Sequence, residues 1–162
     1  MSRLPAQARL VPSVLDRLID AETETGNLQR GYTVEQMLAA VRRDLEELLN
    51  THQTNQDLPL EWEQLRASLL TYGIPDLVSV SVSSSADKEQ VAQLLETVVN
   101  RCEPRLRDVR VHVTSASEGE TRALKFNIDA RLNVDPSPEV AFVTVVDLLT
   151  GKASIQQRDT ST

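Results

Sequence analysis

The side chains most able to do chemistry here are carboxylates, which with 24 Asp and Glu are plentiful. A glycoside hydrolase needs two of them, roughly 5–9.5 Å apart and in unlike environments, so that one keeps its proton. Glu46/Glu47, Glu61/Glu63 and Glu118/Glu120 are candidate pairs. The first two fall in charge-rich stretches that read as solvated, and the third falls in a polar turn. Aromatic platforms for sugar rings are scarce, since only 3% of residues are aromatic. Pairs of this kind arise by chance in so acidic a chain, and no catalytic residue is assigned.

Other chemistries have less to work with. His52 is expected in a loop and His112 on the polar side of a strand, without a second histidine nearby to share a metal. Cys102 is the only cysteine, which rules out an intrachain disulfide and a cysteine metal cage. It lies on an apolar helical face, as an inert thiol does. The glycines are isolated at turns, so there is no phosphate-cradling loop and no Gly-x-Ser-x-Gly elbow. Neither a metal nor a cofactor is expected.

Glu103-Pro104-Arg105 is the segment that stands out. It sets opposite charges either side of a proline where a helix gives way to a strand. Read alone, it ends the helix and forms a local ion pair worth about 0–1 kcal/mol if exposed. It also offers a partner one acceptor and one five-donor fork.

The elements around it follow from periodicity. Val14, Leu15, Leu18 and Ile19 after Pro12-Ser13 predict a short amphipathic helix, and a polar linker follows over 22–27. Thr33 and Gln36 have capping-box spacing, and Val34, Met37, Leu38, Val41, Leu45, Leu48 and Leu49 then share one helical face. Asn50 is expected to stop that helix in the left-handed conformation. Leu65, Leu69 and Leu70 suggest a further short helix, closed by the turn Tyr72-Gly73-Ile74-Pro75, where glycine permits positive φ and proline bars continuation. Val78, Val80 and Val82 alternate with serines as a short strand or extended connector. Asp87 and Gln90 are expected to cap a fourth helix, with Val91, Leu94, Leu95, Val98, Val99 and Cys102 inward.

Beyond Pro104 the period becomes two. Val109, Val111 and Val113 alternate with polar residues, and so do Leu124 through Val134. Residues 140–146 are apolar on both faces and belong inside a sheet. Thr150-Gly151 turns into a last strand, Lys152-Ala153-Ser154-Ile155, a candidate sheet edge. Helices first and an antiparallel meander after give an α+β fold, with the helices on one face of about four strands. The expected division is an N-terminal segment over 1–30, one α+β domain over 31–156, and a disordered tail over 157–162.

The chain of 162 residues has a net charge of -7, which argues against nucleic-acid binding. No apolar stretch is long enough to cross a bilayer. Residues 1–11 lack the apolar core of a secretory signal, so a cytoplasmic location is expected.

Four segments together resemble the contractile-tail baseplate wedge family, in particular its type VI secretion members, the TssE proteins. They are Pro12-Ser13-Val14-Leu15-Asp16-Arg17-Leu18, the run from Val41 to Thr51, the run from Ser68 to Leu77, and Glu103-Pro104-Arg105. The resemblance spans about 12–155, with His52-Gln53 departing from the more basic residues expected there. The family has been labelled lysozyme-like, a label that does not imply activity. What the resemblance implies is a non-catalytic cytoplasmic subunit, joined to other baseplate wedge proteins with the spike hub and tail sheath nearby. By the same resemblance, Glu103, Pro104 and Arg105 would engage the helical bundle that holds each wedge together, and the sheet edge would template the first sheath ring. Single alanine changes at Glu103 or Arg105 would then spare the fold and weaken assembly. The rival readings are the same role in a phage tail or extracellular contractile particle, and a peptidoglycan hydrolase.

Overall fold

The computed structural model describes residues 10–19, 31–53, 58–59, 61–66, 68–75, 84–114, 123–135, 137–147, 150 and 152–158. The strand or connector expected at Val78–Val82, the linker over 22–27 and the turn over 117–121 lie outside them.

Helix α1 is Val14–Ile19, and α2 is Val34–Asn50. The α2 capping box forms as the spacing predicts. Gln36 N–H donates to Thr33 Oγ1 at 3.2 Å, and Thr33 N–H donates to Gln36 Oε1 at 2.9 Å. Asn50 does not end the helix by adopting positive φ: it is the last helical residue, and Thr51 caps it in an extended conformation. The region 61–71 forms two fragments, α3 at Glu63–Arg66 and a single 3₁₀ turn at Leu69–Thr71.

Helix α4 is Ser85–Cys102 and begins earlier than expected. Its cap is Ser84, whose Oγ accepts from Asp87 N–H at 3.1 Å while Ser84 N–H donates to Asp87 Oδ2 at 2.9 Å. Asp87 is therefore the third residue of the box rather than its first. Serine and aspartate are near-equal caps, and a serine three residues upstream lets both bond at once.

Four antiparallel strands follow in sequential order: β1 Leu106–Thr114, β2 Ala123–Leu132, β3 Glu139–Asp147 and β4 Ala153–Arg158. The chain is α+β, with α4 packed along β1 and α2 along β4. Both helices share one core with a single sheet face, centred on Leu45, Leu49, Leu95, Val99, Phe126, Ile128 and Phe142. β3 is an interior strand, which accounts for its apolar run. β4 starts after Lys152 and continues to Arg158, so the boundary expected after residue 156 falls inside a strand.

Two local features keep this packing in phase. Leu106 is out of step with Val109 and Val111 in a simple alternation. Pairing slips between Arg107 and Arg110, and Asp108 takes φ 54 there. This bulge absorbs one residue, so Leu106, Val109 and Val111 are all buried on the helix side. Gly73 takes φ +104, and a Cβ on it would stand 2.3 Å from the Thr51 carbonyl oxygen. That close approach lets Ile74 N–H reach Thr51 O and Gln53 N–H reach Ile74 O, both at 2.8 Å, tying the turn to the exit of α2.

Gly73→Ala is expected to destabilise the protein by about 2–4 kcal/mol, combining backbone strain with a steric clash; urea unfolding would measure it. Thr144 behaves oppositely. It is fully buried on the core face, and its hydroxyl finds no partner among the described residues. Thr144→Val should raise stability by about 1 kcal/mol by removing an unsatisfied polar group, read as a higher Tm.

Candidate partner-binding site

The turn after α4 is where the chain concentrates charge. Glu103 leaves the helix at φ -119, its N–H still bonded to Val99 O. Pro104 is exposed, Arg105 is half-buried, and Glu103 is only 4% exposed. Arg105 folds back on Glu103: Nε donates to Oε1 at 2.7 Å, Nη2 to Oε2, and the backbone N–H to Oε1 at 3.1 Å. Arg105 Nη2 also donates to Asp44 Oδ2 of α2 at 2.6 Å.

The chain of charges does not stop there. Asp44 Oδ1 accepts from Arg43 Nε at 2.9 Å and Nη2 at 2.7 Å. Arg43 Nη2 reaches Asp16 Oδ1 of α1 at 2.6 Å. Asp16 is 2% exposed, and its other oxygen accepts from Ser13 N–H and Oγ. An unbroken alternating line, Glu103–Arg105–Asp44–Arg43–Asp16, thus joins the helix–strand turn to α2 and α1. Arg105 Nη1 is buried with no acceptor among the described residues.

These contacts shift the ionisations. Burial alone would raise the Asp16 carboxyl, but hydrogen bonds from Arg43 and Ser13 outweigh it and hold it below its usual value. The bond to Asp16 is the main reason Arg43 is held still more firmly protonated. Burial works against the charge of Arg105, and bonding to Glu103 more than restores it.

Helix α1 is pinned by its acid and shows its apolar side to water. Val11, Val14, Leu15 and Leu18 are 77%, 65%, 47% and 69% exposed. Its N-terminal approach is held by the backbone pair Leu10–Tyr32.

The two sheet edges differ. On β1, Glu96 of α4 accepts from Val111 N–H at 3.1 Å and binds Arg110 Nη1 at 2.8 Å, next to the Asp108 bulge. On β4, Lys152 O faces β3, where it accepts from Asp147 N–H at 2.9 Å. Antiparallel alternation then turns the N–H and C=O of Ala153, Ile155 and Gln157 outward. Those of Ala153 are taken by Asn50 of α2. Of the sequence candidates in β4, Ala153 and Ile155 are buried, Ser154 is exposed, and Lys152 precedes the strand, exposed. Tyr72 and Pro75 are half-buried beside Gly73, with burial raising the Tyr72 hydroxyl.

Sequence reasoning singled out Glu103 and Arg105; it left Arg43 and Asp44 on the polar sides of their helix and gave Asp16 no role of its own. It also missed Asn50 and Glu96 as edge groups. Of the acidic pairs, Glu118/Glu120 lies outside the described residues. Glu61 and Glu63 flank exposed Trp62 in a depression made by residues 61–65 alone, and Glu47 is exposed. Among the described residues, no group of three or more His, Cys, Asp or Glu could hold a metal ion. None of the helices among those residues is long and apolar enough to cross a membrane.

A clamped helix–strand turn, an outward apolar helix and the β4 edge are the features this fold presents at its surface. The family described as "Baseplate wedge protein gp25" matches residues 35–137, most of the chain, and the chain belongs to that family. That range takes in α2, α4, Glu103-Pro104-Arg105, β1 and β2. Among solved structures, a chain of "The baseplate complex from the type VI secretion system" is similar at 20% identity and a TM-score of 0.49, covering 79% of this chain and 97% of that one. No curated protein sequence matches.

The lowered Asp16 carboxyl gives a pH test. A carboxyl depressed in the folded state adds stability that is complete above its unfolded value of about 3.9 and lost as pH falls through its folded value. Protons should therefore release α1 only below about pH 4. Amide exchange across 14–19 would show this as a loss of protection in acid, measured against the intrinsic exchange rate at each pH. In Asp16→Asn, α1 should already be loose at neutral pH. Arg105→Met is expected to cost about 3–5 kcal/mol, because it strands buried Glu103. Single substitutions of this pair therefore perturb the fold itself, and an assembly test needs changes that leave the pair intact.

Proposed function

We propose that this protein is a non-catalytic structural subunit of a type VI secretion baseplate, which joins wedge proteins and templates the first tail-sheath ring through its sheet edge. Membership of the baseplate wedge family is the observation that carries the reading. The type VI assignment draws on the resemblance at Pro12–Leu18 and Ser68–Leu77 given above. In this reading the protein works in the cytoplasm at the inner face of the inner membrane, beside the spike hub, without binding nucleic acid or inserting into the membrane.

Two surfaces suit the wedge contact. Exposed Pro104 and the rim of Arg105 stand on a turn stiffened by the charge line, so little ordering entropy is lost when a helical bundle docks there. The apolar row of α1, fixed by the same line, offers that bundle a second anchor. The outer edge of β4 suits the sheath, since unpaired strand groups accept an extended backbone. The Gly73 turn, with Tyr72 and Pro75, is structural in this scheme.

Co-purification of the tagged chain from its native host tests the reading. Wild type should capture wedge subunits, and Val14→Asp/Leu18→Asp and Pro104→Gln, each folded by circular dichroism, should capture at least about ten-fold less, a change of roughly 1.4 kcal/mol. Capture of no baseplate subunit by wild type would sink the proposal. Capture of phage-tail proteins instead would move the same role to another machine.

A further inference from the structure

Asn50 does more than end α2. Its Nδ2 donates to Glu46 O at 2.7 Å and to Ala153 O at 2.9 Å, while its Oδ1 accepts from Ala153 N–H at 2.9 Å. A carboxamide is a peptide group in small: planar, with one acceptor and a donor alongside. Seated on Ala153, it makes the two-bond exchange that a residue of a neighbouring antiparallel strand would make.

We infer that Asn50 is a built-in strand surrogate that closes the first position of the β4 edge and so sets the register of the strand added there. The inference rests on the proposal that this edge receives a partner strand. With Ala153 occupied, the backbone pairs left open among the described residues are those of Ile155 and Gln157, and an added strand starts beyond Asn50.

The occupant is an extended segment of a different protein. Ile155 and Ala153 are buried on the helix side, whereas Ser154, Gln156 and Arg158 are exposed on the other. A matching strand alternates apolar and polar residues and places an acid near Arg158. A second copy of this chain fits poorly, because each copy has a net charge of -7. On the other edge Glu96 takes the Val111 N–H and sets a negative charge beside the Asp108 bulge.

Amide hydrogen exchange on the full chain tests this, alone and with the purified sheath subunit from the same host, for wild type, Asn50→Ala and Asn50→Asp. In the free wild type, Ala153 should exchange at least about ten-fold more slowly than Ile155 and Gln157. Asn50→Ala should erase that difference, and Asn50→Asp should keep Ala153 slow, because it still accepts from the N–H. On sheath binding, Ile155 and Gln157 should slow in wild type with Ala153 unchanged, and in Asn50→Ala Ala153 should gain protection too. Equal exchange at the three amides in free wild type would overturn the surrogate role, whatever the sheath does. Sheath binding that leaves residues 153–158 unchanged, or protects the same amides in wild type and Asn50→Ala, would overturn the register role and leave the baseplate reading standing. The expected free-chain pattern with no sheath binding would remove the sheath contact instead. Dimerisation of Asn50→Ala would overturn the foreign-strand assignment.

Discussion

Burying Glu103 is the constraint on which the rest of the structure depends. A carboxylate left alone at 4% exposure would cost several kcal/mol. Arg105 offsets that cost because the proline between them turns the guanidinium back, so that one fork takes both carboxylate oxygens. Satisfying Arg105 then calls on Asp44, Asp44 calls on Arg43, and Arg43 has one more donor direction, which Asp16 fills. Each group is placed by the need of the one before it. An ion-pair line of this kind adds little net stability over a packed apolar core. It does fix the relative placement of elements, since removing any member strands its neighbour. A subunit that must present a fixed geometry to several partners needs that property more than it needs extra stability.

The apolar outer row of α1 makes sense in the same terms. A six-residue helix is too short to be stable by itself. Its inward face contributes Asp16, so the fold holds α1 by electrostatics and leaves its hydrophobic side uncommitted. An ordinary surface helix turns its apolar stripe inward. The inversion is costly in an isolated chain and sensible in a protein whose core is completed by a neighbour. The low exposure of Asp16 and the high exposure of Val14 and Leu18 are thus two sides of one arrangement.

What the sequence made legible was local. The Thr33/Gln36 box, the inward faces of α2 and α4 and the two-residue periods depend on residues a few positions apart and are present, although Val34, expected on the α2 face, is exposed, as are Leu69 and Leu70. The α4 cap was misplaced because Asp87 with Gln90 has the same spacing as Ser84 with Asp87; the fold takes the earlier pair, which lengthens the helix by three residues. The Asp108 bulge was illegible, since aspartate tolerates positive φ in many contexts and only the register with β2 requires it here. The charge line was hidden for a different reason. Arg105 and Asp44 are 61 positions apart, and Arg43 and Asp16 are 27 apart. On a helical wheel Arg43 and Asp44 look like any solvated pair. Asn50 and Ala153, separated by 103 positions, gave no signal at all.

The two edges of the sheet show how a fold can be made selectively adhesive. Any exposed strand is a template for unwanted pairing, and proteins usually blunt it with charge, bulges or cover. β1 has charge and a bulge, in the Glu96 carboxylate on Val111 N–H and the turn of the chain at Asp108. A carboxylate only accepts, so on Val111 it satisfies the N–H and opposes any approaching carbonyl. β4 has a carboxamide instead, which both donates and accepts and therefore occupies one position without repelling the next. A charged cap would discourage pairing along the whole edge, and no cap would let register slip by two residues at little cost. A neutral cap at the strand's first residue leaves a short edge with a defined start. That is the least modification that keeps an edge open to one strand in one register.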